Sequence, residues 1–161
     1  WLGVNLVTAF IAVYFIGLFE ATLQQKIALA ILMPVVASMG GIAGTQTLII
    51  VTRGIATGRV TTANIKSLIN KEVAVSGLNG VIWSIVIAFV TYYWFSDVML
   101  SVVIGLAIIV NLVVAAFSGA FLPLLLTRLK IDPALAGGVI LTTITDVIGF
   151  VAFLGLATLV I

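Results

Sequence analysis

The chain has no cysteine and no histidine among its 161 residues. Disulfides, thiolate metal sites, cysteine nucleophiles and imidazole bases are all removed at once. Charge is also scarce: Asp, Glu, Lys and Arg make up 7% of the residues, against about 25% in a soluble domain. What fills the chain instead is apolar, 63% of the residues with a mean hydropathy of +1.42. No soluble core buries that much apolar surface. The expected fold is all-α, a polytopic membrane protein built from helices.

Polar and aromatic punctuation divides the chain into five expected transmembrane helices, at about 1–19, 27–51, 73–95, 98–127 and 133–161. Trp1 and the Tyr92-Tyr93-Trp94-Phe95 cluster suit the membrane interface. Residues 20–26 and Ser96-Asp97 read as turns. The stretch 52–72 is the one long polar connection, with Thr61-Thr62 as an N-cap for a short interfacial helix. Asp132-Pro133 combines a capping residue with proline at the first helical position, a helix-start signature. In the second span, Pro34 and the Gly-rich stretch 38–47 predict a kinked or locally opened helix. The 52–72 connection and the 128–131 turn hold six of the seven cationic residues. The positive-inside rule therefore places both in the cytoplasm, with the N-terminus cytoplasmic and the C-terminus outside. That basic connection is expected to set topology and to touch anionic membrane lipid. With no initiator Met and no signal-like start, residues 1–161 read as the membrane domain of a longer protein.

Four of the five acids, Glu20, Glu72, Asp97 and Asp132, fall at span ends or in the connection. Asp146 does not. At about 1.5 Å per residue it lies roughly 21 Å beyond Asp132, past the midplane of a hydrocarbon core about 30 Å thick. A central Asp costs roughly 2.5–3.5 kcal/mol on insertion, and such residues face a water-filled path or a partner. No Lys, Arg or His lies deep enough to pair with it. Thr142, Asp146 and Gly149 follow i, i+4, i+7 and share a helix face. Thr143 and Thr145 flank that face, and Gly138 extends it. The stripe either lines a wet path or packs helices together; the unpaired acid favours the path. A carboxylate among hydroxyls suits a hard cation such as Mg²⁺, Ca²⁺ or Mn²⁺. One Asp supplies half the charge of a divalent ion, and a homodimer with Asp146 near its two-fold axis supplies the whole.

The second candidate surface is Ser38 to Thr47. Gly40, Gly41 and Gly44 permit close approach, while Thr45 and Gln46 add polar side chains. These positions read as pore lining, as a Gly40-xxx-Gly44 packing seam, or as both. Asn79 and Asn111 read as interhelical hydrogen-bond partners, and Asp132 as a cap. An enzyme is not expected: a serine hydrolase would lack its base, and an aspartyl protease needs two facing acids. A nucleic-acid partner is not expected either.

Pro34, Ser38-Met39-Gly40-Gly41-Ile42-Ala43-Gly44-Thr45-Gln46-Thr47 and Arg53-Gly54-Ile55-Ala56 together resemble the second membrane helix of the MgtE magnesium channel family. Asp132-Pro133-Ala134-Leu135-Ala136-Gly137-Gly138 with Thr142-Thr143-Ile144-Thr145-Asp146-Val147-Ile148-Gly149-Phe150 resembles its fifth. The resemblance implies a homodimeric, Mg²⁺-selective channel of the inner membrane, with the second and fifth spans lining a pore on the dimer axis. The family's pore aspartate falls on Asp146, which would hold a largely hydrated Mg²⁺ with carbonyl help one turn earlier, beside Thr142. Thr143 would add an oxygen and Gly149 would keep the path wide. Regulatory N-terminal and CBS domains would lie outside this chain. The family pattern Gly-Gly-Asn-Ala-Gly-Asn-Gln is changed here at Ile42 and Thr45. Ile42 offers neither donor nor acceptor, so no ion role carries over to it. From the residues alone, a proton- or Na⁺-coupled transporter titrating Asp146 and a non-conducting scaffold remain the alternatives.

Overall fold

A computed structural model of the chain describes residues 1–61 and 63–160. Among them it is all helical: α1 (Leu2–Gly17), α2 (Glu20–Gln25), α3 (Ile27–Ala56), α4 (Ile65–Phe95), α5 (Val98–Arg128) and α6 (Pro133–Val160). Helices α3 to α6 are each long and apolar enough to cross a membrane, whereas α1 is a shorter apolar helix of 16 residues.

Local chemistry fixes the breaks. The extended backbone of Lys26 separates α2 from α3. Ser96 ends α4 in the left-handed region at φ 52°. Asp97 then starts α5 by accepting a hydrogen bond from the Leu100 amide at 3.0 Å. Asp132 does the same for α6, accepting from the Ala134 amide at 2.8 Å, with Pro133 as the first helical residue. The expected cap at Asp132 is thus present.

Three expectations change. The 20–26 turn contains the short helix α2. The local opening expected around Pro34 and 38–47 is absent: α3 runs as one α-helix from Ile27 to Ala56, with Pro34 inside it. Only one ladder donor is lost at Pro34, and packing on both neighbouring helices holds the glycines. The polar connection shrinks to residues 57–64, since polar residues at both ends are absorbed into α3 and α4. Of the Thr61-Thr62 cap, Thr62 lies outside the described residues. Thr61 instead donates its amide to Asn64 Oδ1 at 2.9 Å.

Helix α5 is the centre of the bundle. It packs against α3, α4 and α6, and α1 packs on α6. Two lipid-facing helices gain no hydrophobic free energy by meeting, so contact depends on close packing and on polar bonds. Small residues supply the first. A Cβ built on Gly119 of α5 would lie 2.5 Å from the Gly44 carbonyl oxygen of α3, and one on Gly80 of α4 would lie 3.3 Å from the Ile109 Cα of α5. Below this seam, Leu29, Val36, Ile104, Ile108, Phe153 and Leu154 form a closed apolar cluster.

Polar bonds tie the ends. Lys26, just before α3, pairs with Asp97, just before α5, and Thr22 of α2 bonds Thr158 near the end of α6 at 2.7 Å. The starts of α3 and α5 and the finish of α6 therefore share one end of the bundle. Arg53, Arg128 and the remaining cations gather at the other end. The Leu100 amide, followed by Lys26, holds the Asp97 carboxyl below its ordinary value of 3.8.

Two outcomes are expected. Gly119→Ala forces the α3 backbone away and should destabilise the bundle by about 1–3 kcal/mol. Gly77→Ala, whose Cβ would meet only Val113 at 3.9 Å, should be neutral or stabilising by up to ~1 kcal/mol. Unfolding of both variants in detergent distinguishes them. For Asp97, a lowered folded pKa means its contribution is complete above 3.8 and is lost as pH falls through the folded value. The melting difference between wild type and Asp97→Ala should therefore narrow below that pH, as measured by melting scans in acid.

Candidate functional site: the outward faces of α3 and α6

The site is positioned by a buried amide. Asn111, in the middle of α5, is wholly buried and donates from Nδ2 to the Val36 carbonyl of α3 at 2.8 Å. Its slot is cut by two glycines. A Cβ on Gly40 of α3 would lie 2.3 Å from Asn111 Nδ2, and one on Gly149 of α6 would lie 2.6 Å from it. Asn111 is thus the interhelical partner that its sequence position predicts. Asn79, read in the same way, instead lines an open groove between α3 and α4.

This slot assigns several residues singled out in the sequence to packing within the chain. Gly40 and Gly149 enclose Asn111. Gly44 is buried, and a Cβ there would lie 3.0 Å from the Leu141 side chain of α6. Thr145 is fully buried and its hydroxyl donates to the Thr142 carbonyl at 3.1 Å. Inside one chain Gly40, Gly44 and Gly149 are each close-approach contacts, which for Gly40 and Gly44 is the packing-seam reading.

The other half of the stripe is partly exposed. Asp146 sits near the middle of α6, half-buried, one turn before Gly149. Thr142 and Thr143 beside it are also half-buried, as is Gly138, where an added Cβ would meet nothing within 4 Å. Thr142 donates its hydroxyl to the Gly138 carbonyl at 3.0 Å, and Thr143 donates to the Val139 carbonyl at 2.7 Å. Each hydroxyl proton is therefore directed into the helix's own backbone, which leaves oxygen lone pairs outward. Such a surface presents acceptors only, the arrangement a cation or the waters around it requires. The ion pair found among the described residues joins Lys26 to Asp97; Asp146 has no cationic partner within them.

On α3 the corresponding outward positions are Gly41 and Thr45, both half-buried, with Ile42 and Gln46 exposed. A Cβ on Gly41 would also meet nothing within 4 Å. Helices α3 and α6 pack together, while Ile42 and Gln46 line the groove between α3 and α4. Among the described residues no three acidic side chains come together, and a divalent ion at Asp146 would rest on one carboxylate and neutral oxygens from this chain.

Glu72 is the polar residue that sequence reasoning misses. Assigned there to the polar connection, it lies inside α4, where the Thr47 hydroxyl donates to its Oε2 at 3.4 Å. The spacing of Glu72, Ser76 and Asn79, which is i, i+4, i+7, is the signal that marks one helix face.

Residues 33–156 match the model of the MgtE family, described as divalent cation transporters. The magnesium transporter MgtE of Bacillus subtilis is 35% identical over 158 residues, which is 98% of this chain and 35% of that protein. That of Thermus thermophilus is 30% identical over the whole chain and 36% of its own length. That of Enterococcus faecalis is 28% identical over 88% of the chain and 31% of its own length. The chain spans about a third of the curated relatives it matches. The matched residues run from α3 to α6 and include both outward strips. The chain belongs to the MgtE family of divalent cation transporters.

Proposed function

We propose that the chain is the membrane domain of a Mg²⁺ channel, with five membrane-crossing helices (α1, α3, α4, α5 and α6) and a pore at the axis of a homodimer. The observation that carries this reading is the Asp146 carboxylate. It is half-buried at mid-helix, is flanked by threonine oxygens, and has no cation to pair with among the described residues. A buried charge without a partner is costly in hydrocarbon and reasonable beside a wet path. Two copies supply two carboxylates, matching a divalent ion that keeps much of its hydration. The outward, side-chain-free positions Gly41 and Gly138 give a second copy room to approach. The relatives that the chain resembles are named magnesium transporters, and Mg²⁺ would be cargo, not a resident cofactor. With the cationic end of the bundle in the cytoplasm, the N-terminus is cytoplasmic and conduction follows the electrochemical gradient inward. Cytoplasmic regulatory domains of the same protein would act from that end.

Mg²⁺ flux into proteoliposomes tests the site. Asp146→Asn should lower flux by about tenfold or more, since one charge per chain is all the ion sees. Asp132→Asn, a cap at an exposed helix start, should change folding yield and not flux per folded protein. Equal flux by wild type and Asp146→Asn would sink the mechanism. Flux that requires a proton gradient would favour coupled transport through Asp146, and no flux from wild type would favour a scaffold.

Because the chain lacks cysteine, dimer geometry is testable with single substitutions. Gly138→Cys should form an intermolecular disulfide in membranes. Tyr93→Cys, on an outward position that is 85% exposed, should not. The reverse pattern on denaturing gels would place the dimer contact elsewhere.

A further inference from the structure

Helices α3 and α4 both pack along α5 but touch each other little. Between them runs a groove formed by two cavities that share Ile50. The larger, about 800 Å³, lies at the cationic end, where Arg53, Arg59 and Lys71 converge with Asn64, Ser67 and Thr57. No carboxylate lines it, and none of its three cations takes part in the ion pair found among the described residues. The smaller, about 410 Å³, continues along the helices. Its polar residues Gln46, Thr47, Ser76 and Asn79 lie nearer the basic cavity, with Glu72 held by Thr47. Met39, Ile42, Trp83 and Leu112 form its far end.

We propose that this groove holds one anionic phospholipid, with its phosphate among Arg53, Arg59 and Lys71. The order of chemistry along the groove is that of the lipid. Seven residues of α3 separate Arg53 from Gln46, a rise of about 10 Å, and seven more separate Gln46 from Met39. The interfacial layer of each leaflet is about 5–8 Å deep. A phosphate at Arg53 therefore sets the ester groups near the hydroxyls and amides of Gln46, Ser76 and Asn79, and an acyl chain against Met39, Ile42 and Trp83. Ile42 and Ile50 are 59% and 57% exposed, so the groove is open to the bilayer along its length. Charge complementarity selects an anionic lipid over a zwitterionic one, because the basic cavity offers no carboxylate to an ammonium group. The cationic end is also the cytoplasmic end under the positive-inside rule, the leaflet that carries anionic lipid. Neither Asp146 nor conduction is needed for the lipid to bind.

Native mass spectrometry of the detergent-purified protein, titrated with dioleoyl phosphatidylglycerol or dioleoyl phosphatidylcholine, tests it. One phosphatidylglycerol per chain should bind about tenfold or more tightly than phosphatidylcholine, since each nearby cation is worth about fivefold toward an anionic headgroup. Combining Arg53→Gln, Arg59→Gln and Lys71→Gln should remove that preference. Combining Lys66→Gln, Arg128→Gln and Lys130→Gln, an equal charge loss outside the groove, should keep it. Should the first combination not fold, Arg59→Gln alone, in the exposed connection, should still weaken phosphatidylglycerol binding several-fold. Equal binding of the two lipids, or equal loss in the two combined variants, would overturn the proposal. Displacement of the lipid by glycerol 3-phosphate at matched concentration would also overturn it, assigning the cleft to a soluble phosphate ester.

Discussion

The contact on which the bundle depends is Asn111 in the slot between Gly40 and Gly149. In a hydrocarbon surrounding, apolar side chains gain nothing by leaving lipid for one another, so helix contact needs either close backbone approach or a polar bond. Asn111 provides both. Its Nδ2 bonds the Val36 carbonyl, and its side chain occupies the volume that a Cβ on either glycine would need. Three helices are thereby locked at their midpoints. Gly149 is turned inward against Asn111, and Asp146, one turn earlier on the same stripe, lies half-buried beside that packed contact. A substitution that changes the slot therefore rotates or displaces the carboxylate as well as loosening the core.

The remaining charges sort by end. Lys26 and Asp97 neutralise each other where α3 and α5 begin, and the capped Asp132 starts α6 at the opposite end, among the cations. Neither arrangement requires a charge to cross the apolar zone. Asp146 is the exception: half-buried, it meets no cation and no donor side chain among the described residues. A membrane protein tolerates that exposure where water or an ion completes the site, so the electrostatic irregularity and the proposed transport path coincide.

Much of this is legible in the sequence because the physics involved is local. The caps at Asp97 and Asp132 are read from one side chain and the next few amides. The depth of Asp146 follows from counting residues at a fixed rise. Helix faces follow from spacing, which groups Thr142, Asp146 and Gly149 on one stripe. What spacing does not supply is where the neighbouring helices sit relative to that stripe. Gly149 and Thr145 belong to its packed edge, and Thr142, Thr143 and Asp146 to its open edge, a division made by Asn111 on a different helix. The same holds for Pro34 and the glycines of α3. Their local propensity argues for a break, but contacts with α5 and α6 hold the helix continuous. Glu72 escapes a reading in which charge marks a loop, because its face of α4 looks into a groove that exists only once α3 and α4 splay apart.

The substitutions in the family's second-helix pattern acquire a specific meaning from this arrangement. Gly40 and Gly44 of the pattern are retained, and they are the residues that bring α3 against Asn111 and Leu141. The two altered positions, Ile42 and Thr45, do neither job. Ile42 is 59% exposed and lines the far end of the α3–α4 groove, while Thr45 is half-buried on the outward strip. The changes thus fall on surface and spare the slot that orients Asp146. On the proposed reading, α3 contributes shape and a reduced set of polar groups, and the ion-facing oxygens come chiefly from α6. Selectivity would then rest on the spacing of two Asp146 carboxylates across the dimer axis, a quantity set by how closely Gly41 and Gly138 allow the two copies to approach.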